Sequence, residues 1–196
     1  MPKAPKLKLM VASTVYNFQD QLNQIHGVLS GFGYDVWNSH LGTIPVDPAK
    51  SNLDNCVSAV AECDAFLGII RPFYGSGILG PRSITHEECL EAMRLVKPRW
   101  FLAHQHVTFA RQLLRPYLYN DDGTRSTFQL KKTAVMDDAR VLELYNDATQ
   151  QAVPLNQRKG HWVQDFHDMD DILKYLDAQF KDIARVRKIC AGMRKP

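Results

Sequence analysis

The chain has 196 residues, of which 45% are hydrophobic and 23% are charged, which excludes a disordered or low-complexity protein and is typical of one globular domain. The formal net charge is +3, but residues 1–10 and 181–196 carry most of the excess of basic side chains. Because the region between them is net acidic and has no basic stripe, we do not expect a nucleic-acid partner.

Membrane insertion and export are not expected either. No apolar run approaches the roughly 20 residues that a membrane-spanning helix needs, and residues 1–6 lack the apolar stretch of a signal peptide. The cysteines form no Cys-x-x-Cys pair, which is typical of reduced thiols; they are Cys56, Cys63, Cys89 and Cys190. We therefore expect a cytoplasmic protein with no membrane partner.

Strand and helix patterns alternate through the first half of the chain. Residues 7–12 form a short apolar strand, and the spacing of Phe18, Leu22, Ile25 and Leu29 predicts the helix that follows. The next elements are predicted at 34–37 (strand), 53–60 (helix), 65–70 (strand), 84–95 (helix) and 99–102 (strand). This order predicts an α/β fold with a flavodoxin-like open parallel sheet, and the commonest strand order for such a sheet is 2-1-3-4-5.

Helical patterns dominate the rest of the chain. They predict helices at 107–118 and 137–149 and one long closing helix at 168–189, with an irregular stretch at 153–166. We therefore divide the chain into an α/β core, residues 1–105, and a helical C-terminal extension, residues 106–196, packed on the same domain.

Two expectations concern this extension. The closing helix carries more apolar side chains than one helix face usually needs, which predicts a homodimer or larger assembly; they are Ile172, Leu173, Tyr175, Leu176, Phe180 and Ile183. The segment around Trp162 is expected to fold over the ligand site as a mobile lid.

The fold predicts where a ligand binds. In an open parallel sheet, ligands bind outside the carboxyl ends of the strands at the point where the strand order reverses, here between the first and third strands. The loop after the first strand offers Ser13, Thr14 and Tyr16 directly before a helix, which suits a phosphate or a ribose. The alternative is that Asn17 simply caps this helix.

The loop after the third strand, residues 71–83, is long for a strand-to-helix connection, which is typical of a binding loop. Tyr74 could stack on a base, Arg71 or Arg82 could pair with a phosphate, and Gly75 would let backbone amides approach the ligand. Ser83 completes the candidate ligand-binding residues. The glycines match neither the P-loop nor the dinucleotide fingerprint, so hydrolysis of a nucleoside triphosphate is not indicated.

Two interpretations of Glu88 remain open. The spacing Thr85-x-x-Glu88 predicts a capping box, in which the glutamate bonds a backbone amide at the start of the helix. The functional alternative is a carboxylate that bonds a ribose and stabilises an oxocarbenium-like transition state. The pair His104 and His106 has no carboxylate or cysteine at ligand spacing nearby, so we expect no metal site.

Three motifs in order resemble a TIR-like domain family of unknown function, whose members are often fused to STAND ATPases. They are residues 11–16, residues 61–70 leading to Tyr74 and Gly75, and Ser83-Ile-Thr-x-x-Glu88-x-x-x-Ala92, within a resemblance that covers about residues 7–103. TIR domains and nucleoside 2-deoxyribosyltransferases share the layout and use a glutamate early in such a helix to handle a ribosyl bond. The resemblance therefore implies that Glu88 is the catalytic carboxylate.

Two functions follow from these observations. The first is an enzyme that cleaves the N-glycosidic bond of NAD or a related nucleotide in bacterial signalling or defence, with no further cofactor required. The second is a non-catalytic sensor or adaptor that binds a nucleotide-derived signal or a protein partner through the same crevice. Analogy of fold does not separate the two.

Overall fold

The computed structural model describes residues 5–75, 78–79 and 82–193 of the chain. Strands and helices alternate through its first half, as the sequence predicts, apart from two short strands in the segment that follows residue 70. The strands are β1 (Lys8–Ser13), β2 (Asp35–Trp37), β3 (Ala65–Ile70), β4 (Ile78–Leu79), β5 (Arg82–Ser83), β6 (Arg99–His104) and β7 (Val163–Phe166). The helices are α1 (Gln19–Phe32), α2 (Asn52–Glu62), α3 (Ile84–Arg94), α4 (Gln105–Leu118), α5 (Arg140–Ala148), α6 (Met169–Phe180) and α7 (Ile183–Met193), with a 3-10 turn at Leu155–Gln157.

Five of the strands form one open sheet in the order β2-β1-β3-β6-β7, and every pair in it is parallel. The two short strands β4 and β5 pair with each other in antiparallel orientation, within the segment that follows β3. Counted within the five-stranded sheet, the strands therefore stand in the order 2-1-3-4-5. The α/β class and the open parallel sheet are confirmed, whereas the sequence did not indicate the β4–β5 pair or the edge strand β7.

The central strands are apolar because helices cover both faces of the sheet. All six residues of β3 are buried. Alternate side chains of β1 point to opposite faces, so that Leu9 and Val11 pack in one core cluster and Met10 and Ala12 in the other. The first cluster contains residues of α1, α6 and α7, and the second contains residues of α2, α3 and α5.

The extension contributes the edge strand of the sheet as well as helices. Residues 163–166, expected to be irregular, form β7 and pair with β6, with Phe101 opposite Val163 and His104 opposite Phe166. Trp162 precedes β7, so it lies at the amino end of the sheet beside Arg99 and Trp100. The expected lid is therefore wrong, because the ligand crevice lies at the opposite, carboxyl ends of the strands.

The closing segment is two helices rather than one. α6 ends at Phe180, and the Asp182 carboxylate accepts a hydrogen bond of 2.9 Å from the Arg185 amide, which begins α7. Three of the apolar residues expected to form an interface, Ile172, Leu176 and Phe180, are buried in the core of the chain, whereas Leu173, Tyr175 and Ile183 are half-buried. The three buried side chains are not available to a partner. These residues consequently give no support to self-association.

Two further expectations concern membrane insertion and the thiols. Among the described residues, none of the helices combines the length and the apolar character that crossing a bilayer would require. The thiols of all four cysteines are free and buried.

Candidate functional site

A cavity of about 440 Å³ opens at the carboxyl ends of β1 and β3, where the strand order reverses. Its walls come from the loops after β1, β2 and β3 and from the first turns of α2 and α3. Seven of the eight sequence-predicted site residues line it: Ser13, Thr14, Tyr16, Tyr74, Gly75, Ser83 and Glu88. The volume falls within the roughly 300–1,000 Å³ that is usual for small-molecule sites.

Arg71 is the exception, because its guanidinium points away from the cavity into the β1–α1 loop. It donates hydrogen bonds to the carbonyls of Thr14 (3.1 Å), Tyr16 (2.7 Å) and Asn17 (3.3 Å). The same group lies 4.2 Å from the ring centroid of Phe18. Burial lowers the pKa of Arg71 to about 10. Arg71 therefore fixes the shape of the loop that carries Thr14 and Tyr16, and it does not line the cavity.

The start of α1 also differs from the expectation. Asn17 has a left-handed backbone with φ of 51°, and the helix is preceded by Phe18, with no side-chain cap. The expected Asn17 cap is thus wrong. Thr14 is buried beside the cavity, and its Oγ1 has no hydrogen-bond partner among the described residues. An unpaired buried hydroxyl is costly, and a bound ligand could supply the missing partner.

The start of α3 excludes the capping interpretation of Glu88. The cap is Ser83, whose Oγ accepts a hydrogen bond of 3.3 Å from the His86 amide. Thr85 already lies inside the helix, so the pair Thr85 and Glu88 forms no capping box. Glu88 turns inward instead, is 2% exposed, and lines the cavity.

Burial governs the electrostatics of Glu88. It raises the pKa of the carboxyl group from an ordinary 4.5 to about 7, and a hydrogen bond with Cys56 partly opposes the shift. Burial and the nearby carboxylate raise the pKa of the Cys56 thiol to about 12, so the thiol is the donor in this bond. A carboxyl group with a pKa near neutral is suited to proton transfer and to electrostatic stabilisation of a cation.

The β2–α2 connection, residues 38–51, forms a wall that sequence reasoning missed. Asn55 holds this connection in place, because it accepts from the Asp47 amide (2.8 Å) and donates to the Asp47 carbonyl (3.1 Å). The length of the connection was the signal that could have revealed it. The additional lining residues are Val15, Ser39, His40, Gly42, Ile44, Val46, Asn52, Asn55, Cys56, Ile84 and Thr85.

Tyr74 is held by the loop before α5 and by the start of that helix. Its amide donates to the Asp137 carboxylate (2.7 Å), and the guanidinium of Arg140 lies 4.8 Å from its ring centroid. Its hydroxyl lies 2.7 Å from Nδ1 of His86. The tyrosine is almost fully buried, so its phenol is a fixed part of the wall and is not a ring free to stack on a base.

The remaining candidates lie outside the cavity. Nδ1 of His104 accepts from the His106 amide (3.1 Å), which caps α4. Arg82 pairs with Glu87 at 3.4 Å on the exposed side of α3. Neither feature is part of the cavity wall.

Residues 8–180 match a family that is described as a domain of unknown function, DUF4062. The chain belongs to the DUF4062 family. The match extends from β1 to the end of α6, so that the DUF4062 region includes all five strands of the sheet and the whole cavity wall. No curated protein matches the chain.

Proposed function

We propose that this DUF4062 protein binds a nucleotide-type small molecule in the cavity and cleaves the N-glycosidic bond of NAD or a related nucleotide. One observation carries the proposal: Glu88 is buried in the cavity wall, does not cap its helix, and has a pKa raised to about 7. An ionised carboxylate placed there would stabilise the positive charge that develops on the ribose as the base leaves.

The other lining groups suit a nucleoside. Ser13 and Thr14 supply hydroxyl groups at the end of β1. Tyr16 is 61% exposed at the mouth of the cavity, so its ring is the surface on which a base would stack, and the Phe73 ring lies 5.2 Å from it. This assignment moves the stacking role from Tyr74 to Tyr16.

The resemblance to TIR-like domains supports the same chemistry, because the motif that carries it includes Glu88. In this proposal the reaction needs no further cofactor, the nucleotide itself is the substrate, and the protein acts in bacterial signalling or defence. Its proposed cellular compartment is the cytoplasm.

The test is to incubate the purified protein with NAD, NADP and nucleosides and to follow the released base by chromatography. Glu88→Gln should lower turnover by two or more orders of magnitude, about the effect of removing one preorganised electrostatic contact. The matched control is Glu87→Gln, because Glu87 is the preceding residue on the same helix but faces Arg82 on the surface. A fully active Glu88→Gln protein would contradict the catalytic assignment.

Saturable binding of NAD or a nucleoside without any release of base would also contradict cleavage. That outcome would favour the sensor or adaptor function through the same cavity.

A further inference from the structure

A chain of hydrogen bonds leads from the cavity wall to the protein surface. Tyr74 and Ser83 both line the cavity, and the Ser83 backbone amide donates a hydrogen bond of 3.3 Å to the phenolic oxygen of Tyr74. The Tyr74 hydroxyl lies 2.7 Å from Nδ1 of His86, and Nε2 of His86 lies 2.9 Å from a carboxylate oxygen of Asp147. Three side chains, from the loop after β3, from α3 and from α5, are thus connected in series.

The chemistry of the last group fixes the direction of these bonds. A carboxylate can only accept, so Nε2 of His86 carries the hydrogen in this bond, and in the neutral imidazole Nδ1 is then the acceptor. Tyr74 therefore donates its hydroxyl hydrogen to His86, and its oxygen accepts from Ser83. Every donor in the chain points away from the cavity and toward Asp147.

The hydrogen-bonded groups are shielded from solvent as far as Asp147. Ser83, Tyr74 and His86 are each no more than 2% exposed, whereas the Asp147 side chain is 43% exposed. The neighbouring charged groups do not interrupt it. Asp137 bonds the amide of Tyr74, and Arg140 lies over the Tyr74 ring while pairing with Asp138.

We propose that Tyr74, His86 and Asp147 form a proton relay between the cavity and the solvent. The proposal rests on the proposed function, since hydrolysis of the N-ribosyl bond of NAD releases one proton. As the C1′–N bond breaks, its electron pair leaves with the base, and the oxygen of a water molecule forms a bond to C1′. The water loses its proton to the Tyr74 hydroxyl oxygen, while the Tyr74 proton moves to His86.

The resulting imidazolium is stabilised by the Asp147 carboxylate, which can pass the proton to solvent. Because the relay takes the proton of the water, Glu88 is free to remain ionised beside the ribose. The two tasks of the reaction are then carried by different side chains, Glu88 and Tyr74. In this proposal α5 contributes Asp147, the group at the solvent end of the relay. His86 and Asp147 are positioning residues, because they act through Tyr74.

The first test compares Asp147→Asn with wild type. Asparagine can still accept from His86 but cannot stabilise an imidazolium, so kcat should fall about tenfold to a hundredfold while KM is unchanged. The solvent deuterium isotope effect on kcat should rise, and Asp147→Glu should restore part of the rate. The matched control is Asp177→Asn, since Asp177 forms only a surface ion pair with Lys181. An Asp147→Asn protein with wild-type kcat and an unchanged isotope effect would overturn the relay.

The second test does not depend on activity. The tautomer of His86 is measured by two-bond ¹H–¹⁵N NMR of the intact protein at neutral pH, with the resonance assigned by its loss in His86→Gln. A hydrogen on Nε2 supports the relay, and a hydrogen on Nδ1 overturns it because Tyr74 could not then donate to that nitrogen. If the wild type cleaves none of the compounds offered, the proposed function fails, and this measurement alone judges the relay.

Discussion

Cys56 on α2 donates its thiol hydrogen to the carboxyl group of Glu88 on α3 inside the cavity wall. The thiol is held protonated, because burial raises its pKa to about 12. Burial also raises the pKa of Glu88, and the hydrogen bond from Cys56 opposes that rise. Burial and the hydrogen bond from the Cys56 thiol therefore act in opposite directions on the charge of Glu88. With a pKa of about 7, that charge changes near neutral pH.

The first prediction concerns the stability of Glu88→Gln. The pKa of Glu88 is about 7 in the folded chain, above its ordinary 4.5, so the folded state holds a proton that the unfolded state loses as the pH rises. The wild type should consequently lose stability relative to Glu88→Gln from about pH 5 to about pH 8, with a total change of about 2–3 kcal/mol. Urea unfolding of both proteins at several pH values measures this difference.

Glu87→Gln provides the control, since its carboxylate lies on the surface beside Arg82. Its stability relative to wild type should hardly depend on pH in the same range. A constant difference between Glu88→Gln and wild type at every pH would show that the Glu88 pKa is not raised.

The second prediction concerns the donor. Cys56→Ala removes the hydrogen bond that favours the ionised carboxylate, so the pKa of Glu88 should rise above its value in wild type. Cys56→Ser offers a stronger donor and should lower it. The stability of each Cys56 variant is measured against pH, both alone and combined with Glu88→Gln. The midpoint of the pH-dependent difference between the two reports the pKa of Glu88. Identical midpoints in Cys56→Ala and Cys56→Ser would contradict the contact.

The third prediction separates the two arginines of the β3–α3 loop. Arg71→Met removes three hydrogen bonds to the carbonyls of the β1–α1 loop and should destabilise the fold by about 3 kcal/mol. Arg82→Met removes one exposed ion pair with Glu87 and should cost at most about 0.5 kcal/mol. Chemical denaturation of both variants measures the contrast. Equal stability of the two variants would contradict the structural role of Arg71.

The fourth prediction tests the close contact at the centre of the sheet. A Cβ added at Gly68 on β3 would lie 2.7 Å from the ring of Phe101, so Gly68→Ala should cost about 1–3 kcal/mol. A Cβ at Gly27 on the exposed side of α1 would meet nothing within 4 Å, so Gly27→Ala should stabilise the protein by about 0.5–1 kcal/mol. Shifts of opposite sign in thermal unfolding confirm the contact, and a stabilising Gly68→Ala contradicts it.

Much of the fold could be predicted from local sequence. The apolar run of β3 and the helical spacing of α1 are properties of neighbouring residues, and both elements lie where the pattern placed them. The position of the crevice followed from strand order, which depends on general rules of topology. Strand β7 could not be recognised, because only four residues with two exposed side chains form it and its partner β6 is distant in the chain.

The sequence by itself determined the α/β class, the open parallel sheet and the place where a cavity forms, because periodicity and connection order are encoded locally. Only the tertiary structure decided what each candidate side chain does there. The capping box around Glu88 and the phosphate contact of Arg71 were plausible from spacing, but packing buried the carboxyl group beside Cys56 and turned the guanidinium to three carbonyls. The connection of Tyr74 and His86 to Asp147 spans more than 60 residues of sequence, so no local pattern could have indicated it.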